Sequence, residues 1–408
     1  MLSQTLLVIT CLSVVGGYIA HNAIITAIPK FMAKNLFGRD QCKKEKTQTP
    51  EPMGVVAAAV YLFVLFLMIP FLFYEWSGGG EGQFNPITQL ATVVAAVASI
   101  TAAIFLGFVD DILDVKWREK LVFSSVSSLP MLIVYNLSGH STTVLLPKFV
   151  IPYIGTQALD IGPIFYLYMG MLIVFCTNSI NILAGINGVE AGQGLIISMT
   201  VAVYNLIQLW REETLEADNV LSLAIIVPFI AINGVLWKFN KYPAKVFVGD
   251  TFCYWSGMTI AVVGILGHFP KTLLLFFIPQ IFNFLMSIPQ LFKFVPCPRH
   301  RLPNYNPQTD LLSMSKFTFT SKQTKFPAKY ILSIFSSFGL IQLSTTIKDD
   351  EIQYESSNFT ILNLYLKMFG PMHESSLANL ISLTQVLCSM GALALRFYFA
   401  GFVYEYVH

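Results

Sequence analysis

Ten long runs of apolar residues constrain the fold of this chain more than any other feature. A helix needs about 20 mostly apolar residues to cross the hydrocarbon of a bilayer. Only 12% of the 408 residues are charged, roughly half the share found in soluble domains. The sequence therefore predicts an all-α polytopic membrane protein with about ten transmembrane helices. The runs cover residues 5–28, 54–74, 88–109, 121–137, 163–180, 192–209, 222–237, 251–267, 272–292 and 377–402.

The distribution of cations along the loops predicts the orientation in the membrane. Lys and Arg are concentrated in the loops that follow odd-numbered runs, whereas the other loops hold only Lys148, Arg211 and Lys271. Cytoplasmic loops carry the excess of cations in membrane proteins. We therefore expect the loops after odd-numbered runs to face the cytosol and both termini to lie on the far side. The net charge of only +2 gives no reason to expect a nucleic-acid partner.

One sizeable polar segment interrupts the apolar pattern before the last run. Residues 1–303 are predicted to form a transmembrane core of nine helices with their cytosolic loops. Residues 304–375 are predicted to form a small cytosolic α+β insertion, and residues 376–408 the last transmembrane helix. Within the insertion, the alternation in SKFTFTSK predicts a strand, and the pattern of TILNLYLKMFG predicts an amphipathic helix.

The end of the third run carries a first polar motif, GFVDDILDVKWREK. Asp110 and Asp111 are adjacent, and Lys120 follows ten residues after Asp110. Neighbouring carboxylates at a membrane edge repel each other unless a cation or a metal ion lies between them. A solvated charged turn is the alternative for the acidic pair, and a simple membrane anchor is the alternative for Lys120.

A second motif, NSINILAGINGVEAGQG, follows the fifth run. Its amides, among them Asn181 and Asn187, are interspersed with glycines. Glycines allow the backbone to approach a ligand closely, and amide side chains coordinate metals or bond to a base. A flexible turn that caps two helices is the alternative.

A third motif, KVFVGDTFCY, leads into the eighth run. Asp250 lies at a predicted helix start, where capping of the helix is the alternative to a ligand-binding role. Phe247 precedes it by three residues and is either a core residue or a platform on which a flat base stacks.

The fourth motif, PCPRHRLP, places Arg299, His300 and Arg301 side by side where the ninth run stops. Two cations and an imidazole are costly in hydrocarbon and suit a phosphorylated ligand at the membrane edge. An interfacial anchor is the alternative, but prolines on both sides favour a rigid loop that positions these groups.

These motifs follow runs three, five, seven and nine, so all four face the same side of the membrane. Acids, amides and cations together are the groups that phosphoryl transfer requires, with Mg²⁺ held by a few protein oxygens and by a pyrophosphate. A transporter is the alternative from a different class, and a non-catalytic scaffold is another. Transporters place charged or broken segments near the midplane, whereas here the polar residues gather at one face.

The four motifs, in this order and topology, resemble those of the polyprenyl-phosphate N-acetylhexosamine-1-phosphate transferases. NILAGINGVEAG, FVGDTFCY and PCPRHR are similar to the eukaryotic members that use dolichyl phosphate, and the likeness covers nearly the whole chain. It implies transfer of GlcNAc-1-phosphate from UDP-GlcNAc to dolichyl phosphate. A bacterial-type enzyme acting on undecaprenyl phosphate is the alternative within the family. The Arg-His-Arg run favours a GlcNAc donor, because the bacterial translocase has a histidine-rich run in that loop.

The resemblance also implies roles for individual residues. It makes Asn181 and Asp250 ligands of Mg²⁺, and Asp110 and Asp111 the acidic pair, with Lys120 near the phosphates. Further positions match substrate contacts: Arg301 at the pyrophosphate, Arg299 and His300 at the sugar, Asn187 and Phe247 at the uracil, and Glu51 of TPEPMG on the nucleotide side. The early loop GRDQCKKEK departs from the expected pattern and stays unassigned.

The resemblance places the enzyme in the endoplasmic reticulum membrane as a homodimer. A lumenal glycosylation sequon at Asn136 and the insertion favour that compartment. The lipid phosphate is already an anion, so it needs alignment and charge neutralisation more than deprotonation. We therefore favour its direct attack over a covalent intermediate on an aspartate.

Overall fold

The computed structural model describes residues 2–44, 46–78, 85–139, 141–211, 217–298, 301–348 and 351–404. Helices dominate, which confirms the predicted all-α polytopic class. The helices are α1 (Leu2–Ala33), α2 (Gly54–Gly78), α3 (Pro86–Leu113), α4 (Trp117–Leu137), α5 (Ile151–Ile154), α6 (Pro163–Ile182), α7 (Val189–Arg211), α8 (Ala217–Asn240), α9 (Gly249–Leu266), α10 (Pro270–Phe276), α11 (Ile278–Leu291), α12 (Ala328–Ser337), α13 (Ile361–Phe369), α14 (Glu374–Ala394) and α15 (Ala400–Val403).

The residues that the structure describes form nine antiparallel strands in four small sheets, which lie in the loops. Three sheets are two-stranded hairpins, and the fourth has the strand order β7-β9-β8. The strands are β1 (Phe37–Arg39), β2 (Gln48–Pro50), β3 (Thr143–Leu145), β4 (Ala158–Asp160), β5 (Asn304–Asn306), β6 (Leu311–Ser313), β7 (Lys316–Thr320), β8 (Leu343–Lys348) and β9 (Glu351–Ser357).

The number of helices that can cross a membrane differs from the expected ten. Within the described ranges, eight helices are long and apolar enough, and α10 with α11 makes a ninth if the bent pair counts as one span. The eighth predicted run corresponds to α9, which has only 18 residues and starts with Asp250 in its first turn. A total of ten therefore stays a prediction that depends on α9.

The ninth predicted run is a broken helix. The axes of α10 and α11 differ by 73°, and the break at Phe277 comes just before Ile278 and Pro279. Proline lacks an amide hydrogen and disfavours the helical conformation of the residue before it. The apolar pattern continues through this point, so the break was not visible in hydropathy.

Helix α9 lies at the centre of the bundle, where it packs against α3, α6 and α8. Glycines make these crossings close. A Cβ added at Gly107 of α3 would lie 2.8 Å from the Cα of Thr251, and one at Gly257 would lie 2.4 Å from the Cα of Thr177 in α6. Small residues allow membrane helices to approach in this way. The crossing at Gly107 places the end of α3 beside the start of α9, where the polar residues gather.

The insertion shares its apolar core with the helical bundle. Phe319, Leu332 and Phe359 pack with Met286 of α11, while Leu312, Ile361 and Leu377 form a second cluster with Leu183 and Ile186. Strand β7 and helix α13 lie where we predicted a strand and an amphipathic helix. The insertion therefore supports the α6–α7 loop from one side.

Candidate active site

A cavity of about 600 Å³ opens where α3 and α6 end and α9 begins. The first three predicted motifs each contribute several residues to its wall, and among the described residues the fourth motif contributes only Leu302. The segment around β1 and residues 51–52 form the remaining wall. The polar and aromatic lining residues include Asp40, Glu51, Asp110, Asp111, Asn181, Asn187, Phe247 and Asp250.

The deepest polar contacts form the Lys120 cluster, which consists of Asp110, Lys120, Asn181 and Asp250. Lys120 Nζ lies 2.9 Å from Asp110 Oδ2 and 2.5 Å from Asp250 Oδ2. Asn181 Nδ2 donates a hydrogen bond to Asp250 Oδ1. Tyr254 Oη donates to the carbonyl oxygen of Lys120 at 3.3 Å, which ties the start of α4 to α9. One cation thus lies between two carboxylates, and an amide contacts one of them.

Asp111 contacts a different set of groups from its neighbour. Its Oδ1 accepts a hydrogen bond from the backbone N–H of Asp250 at 2.6 Å. Its Oδ2 accepts one from the backbone N–H of Thr251 at 2.8 Å and another from the Thr251 hydroxyl. A carboxylate of α3 therefore binds the free amides at the N-terminus of α9. The two aspartates of the acidic pair thus contact different groups: Asp110 pairs with Lys120, and Asp111 binds the start of α9.

Gly249 makes this arrangement sterically possible. Its φ of 74° lies in the left-handed region, and a Cβ there would lie 2.3 Å from Pro52 Cβ and 2.8 Å from Asp111 Oδ1. Only glycine adopts such a conformation without strain and allows this approach. The glycine before Asp250 is thus a requirement of the geometry.

The α6–α7 loop is fixed by hydrogen bonds to its own backbone. Glu190 Oε1 accepts from the backbone N–H of Gly185 at 2.9 Å. Gln193 Nε2 donates to the carbonyl oxygens of Leu183 at 2.7 Å and Ile180 at 3.0 Å. These bonds hold the loop between Asn181 and Asn187 in one conformation.

Glu51 and Phe247 line the cavity near β1. Phe247 donates its backbone N–H to Pro50 at 2.9 Å, and a Cβ at Gly38 would lie 2.8 Å from the Phe247 ring and even closer to Glu51 Oε2. Burial raises the pKa of Glu51 to about 7, with additional repulsion from Asp250 and Glu190. The residue therefore binds a proton more tightly in the folded protein than in water.

A second charged group, the Lys43 cluster, consists of Asp40, Lys43, Asn187 and Glu374. Lys43 Nζ forms an ion pair with Glu374 Oε2 and lies 3.7 Å from Asp40 Oδ2. Asn187 donates its backbone N–H to Glu374 Oε1 at 2.8 Å and its Nδ2 to Asp40 Oδ2 at 3.1 Å. Sequence reasoning missed Asp40, Lys43 and Glu374. The charges in GRDQCKKEK were a signal, but nothing in the sequence pairs them with the start of α14.

The fourth motif is placed only in part. Arg299 and His300 lie outside the described residues. Arg301 does not line the cavity, and its Nη1 is buried without a hydrogen-bond partner in the part of the chain that the structure describes. Burial lowers the pKa of the Arg301 guanidinium below its ordinary value. The next residue, Leu302, packs against Gly185 of the α6–α7 loop.

The fold and this cleft define an integral membrane protein with a polar site at one membrane edge. Residues 93–268 match the sequence profile of glycosyl transferase family 4. The UDP-N-acetylglucosamine–dolichyl-phosphate N-acetylglucosaminephosphotransferase of Saccharomyces cerevisiae is 40% identical, over 93% of this chain and 88% of its own length.

Relatives with the same name are found in other eukaryotes. The protein of Schizosaccharomyces pombe is 40% identical over 92% of this chain and 88% of its own length. That of Leishmania amazonensis is 34% identical over 93% and 85%. The chain therefore belongs to the same family as these enzymes, glycosyl transferase family 4.

Proposed function

We propose that this chain transfers GlcNAc-1-phosphate from UDP-GlcNAc to dolichyl phosphate, producing GlcNAc-PP-dolichol and UMP. The observation that carries the proposal is the Lys120 cluster, in a chain 40% identical to enzymes named for this reaction. A water-soluble donor and a lipid acceptor meet only at a membrane edge, and the cluster lies where α3 ends and α9 begins. This reaction is the first step in building the lipid-linked precursor for N-glycosylation.

The donor atoms of the Lys120 cluster fit a magnesium ion. Carboxylate and amide oxygens are the protein ligands that Mg²⁺ prefers. Asp250 and Asn181 carry one of each and are neighbours, since Asn181 Nδ2 donates to Asp250 Oδ1. We infer that these two residues hold the ion. When bound, Mg²⁺ would neutralise charge on the donor pyrophosphate.

The reaction exchanges one phosphorus–oxygen bond for another. An oxygen of dolichyl phosphate forms a bond to the phosphorus that carries GlcNAc, and the bond from that phosphorus to the UMP oxygen breaks. Lys120 stabilises the negative charge that develops on the transferring group. A contact of Arg301 with the pyrophosphate stays a prediction, because its guanidinium is buried and does not line the cavity.

The contacts of the acidic pair favour direct displacement. Both oxygens of Asp111 accept hydrogen bonds from the start of α9. Asp110 is buried and paired with Lys120. Neither carboxylate is presented as a free nucleophile, so the lipid phosphate attacks directly. A phospho-enzyme trapped on Asp110 or Asp111 in the absence of acceptor would contradict this mechanism.

The remaining parts of the proposal concern location and assembly. We propose an endoplasmic reticulum membrane protein whose cleft faces the cytosol and whose termini are lumenal. The cation-rich loops at the cleft end support this orientation. A homodimer is what the family resemblance implies.

Transfer of labelled GlcNAc-1-phosphate from UDP-GlcNAc to dolichyl phosphate, in detergent with Mg²⁺, tests the proposal. Wild type is expected to form labelled lipid, and Asp250→Asn and chelation are each expected to abolish it. Asp160→Asn is a matched control, because that carboxylate contacts Thr142 in the exposed hairpin of β3 and β4. A folded wild-type protein that transfers no label would contradict the proposal.

A further inference from the structure

Asn187 is held at both its main chain and its side chain by carboxylates. Its backbone N–H donates to Glu374 Oε1 at 2.8 Å, and its Nδ2 donates to Asp40 Oδ2 at 3.1 Å. The residue is buried and lines the cavity. Its amide therefore has a defined direction toward whatever the cavity binds.

The chemistry of the Asp40 contact fixes which end of the amide faces the ligand. An ionised carboxylate only accepts hydrogen bonds, and of the two ends of an asparagine amide only the NH₂ group donates. The Nδ2 end is thus committed to Asp40. The Oδ1 end accepts no hydrogen bond from the described residues and is left to serve as an acceptor.

Asp40 is itself rigidly placed. Its Oδ1 accepts the backbone N–H of Cys42 at 3.0 Å, and the Lys43 ammonium lies 3.7 Å from its Oδ2. Burial raises the pKa of the Cys42 thiol to about 12, and the carboxylates of Glu374 and Asp40 add to this effect. A preorganised acceptor of this kind keeps its orientation before a ligand arrives.

We propose that Asp40 is a positioning residue that makes the cleft select uracil over cytosine. By holding the Asn187 amide, it presents a carbonyl oxygen to the ring N3–H of uracil. Cytosine has an unprotonated, accepting N3 at that position and would meet the same oxygen with lone pairs opposed. This inference rests on the proposed function, since it assumes that the cavity binds a uridine nucleotide with its uracil beside Asn187.

Nucleotide binding to the wild-type protein gives a test that needs no substitution. We expect UMP to bind roughly tenfold to a hundredfold more tightly than CMP or 3-methyl-UMP, because both of these lack the N3–H donor. Calorimetric titration in detergent measures all three affinities. Equal affinities for UMP and CMP would overturn the inference. Failure to bind UMP at all would overturn the proposed function with it.

Two variants that each remove one negative charge distinguish the role of Asp40 from that of Glu374 in the same cluster. In Asp40→Asn, either end of the Asn187 amide finds a partner, so we expect the ratio of UMP to CMP affinity to fall at least about fivefold. Glu374→Gln keeps an acceptor for the Asn187 backbone and leaves the Asp40 contact intact. It is expected to preserve the ratio even where both affinities change.

A merely structural role for Asp40 would lower both affinities alike. If folded Asp40→Asn still binds UMP with an unchanged ratio of UMP to CMP affinity, the inference is wrong. The proposed function is not affected by that result. Thermal melting establishes that each variant is folded. If Asp40→Asn does not fold, Asp40→Ser is measured in its place, and an unchanged ratio of UMP to CMP affinity there would overturn the inference.

Discussion

The two ends of the cleft are built from the same groups: a lysine between two carboxylates, beside an asparagine. At one end the lysine is Lys120, and at the other it is Lys43. The lysines are almost equally exposed, with 19% and 18% of their side-chain surfaces accessible. Composition alone would therefore give the two clusters the same role.

One carboxylate, Asp250, distinguishes the clusters, because Asp110 is as buried as the carboxylates of the Lys43 cluster and also accepts a backbone N–H. Asp250 keeps 28% of its side chain exposed, whereas Glu374 keeps 3% and Asp40 keeps 8%. Asp250 accepts hydrogen bonds from side chains, while both carboxylates of the Lys43 cluster also accept backbone N–H groups. Carboxylates bound to the backbone hold a loop in place, and one that stays accessible remains available to a ligand. The proposed function therefore assigns catalysis to the Lys120 cluster and positioning to the Lys43 cluster, although both contain the same chemical groups.

Removing one carboxylate at each end gives the largest expected contrast. Asp250→Asn is expected to lower kcat by about a thousandfold or more, because it removes the negative charge of the proposed metal ligand and the counter-charge of Lys120. Glu374→Gln keeps an acceptor for the Asn187 backbone and is expected to lower kcat by less than about tenfold. Steady-state transfer assays measure both. Similar losses of kcat in the two variants would show that the Lys120 and Lys43 clusters do not differ in role.

Removing either lysine leaves a buried carboxylate without its cation, so the two variants are expected to differ in catalysis. Lys120→Met is expected to cost about 3 kcal/mol of stability, because Asp110 is buried, and to lower kcat about a hundredfold through lost charge stabilisation. Lys43→Met leaves Glu374 buried without its cation and is expected to cost about 3 kcal/mol of stability, with kcat changed only a few-fold. Transfer assays and thermal melting, run on both proteins, give the two readouts. A Lys43 variant with normal melting and no activity would contradict this division.

Much of the Lys120 cluster could be predicted from the sequence, because each member lies in a motif next to a membrane-spanning run. Alternation of loops across the membrane then places these motifs on one face. The Lys43 cluster could not be predicted. Lys43 and Glu374 are 331 residues apart, and their pairing depends on how α14 docks beside the loop that follows α1. That contact is a property of tertiary packing.

The apolar runs predicted the positions of the helices well. They did not predict where a helix breaks. Pro70, Pro130 and Pro228 lie inside continuous helices, whereas the helix breaks just before Pro279. A proline removes one hydrogen bond wherever it occurs. Whether the helix then breaks depends on the neighbouring helices, and the sequence does not contain that information in any local form.

A substitution at Gly249 tests how strongly the Lys120 cluster depends on the start of α9. Gly249→Ala is expected to cost about 3 kcal/mol, because the new methyl group would collide with Pro52 and Asp111 at a positive φ. Gly139→Ala is the control, since Gly139 also has positive φ but has open space around it, and about 1 kcal/mol is expected there. Chemical or thermal unfolding measures the difference. If both substitutions lower the free energy of unfolding equally, the backbone strain at positive φ explains the whole effect. The contact with Asp111 would then contribute nothing.

The smallest expected effect concerns the pH dependence of stability at Glu51, which lies between the two ends of the cleft. Its pKa rises from the ordinary 4.5 to about 7 on folding because of burial, with repulsion from Asp250 and Glu190. The folded state thus binds this proton more tightly than the unfolded state does. Stability is therefore lost as pH rises from 4.5 toward 7, and the cost is complete above pH 7.

Glu51→Gln removes this titration and isolates its contribution. We expect the variant to melt a few degrees higher than wild type at pH 8, with a much smaller difference at pH 5. Glu119→Gln serves as the control, because that side chain is exposed on the first turn of α4 and should show no such trend. The difference in melting temperature between Glu51→Gln and wild type could instead be the same at both pH values. That result would mean that the Glu51 carboxylate is solvated in the folded protein. In that case Glu51 would be accessible to solvent, as Asp250 of the Lys120 cluster is. The accessible part of the cleft would then reach from the Lys120 cluster past Glu51 toward Asn187.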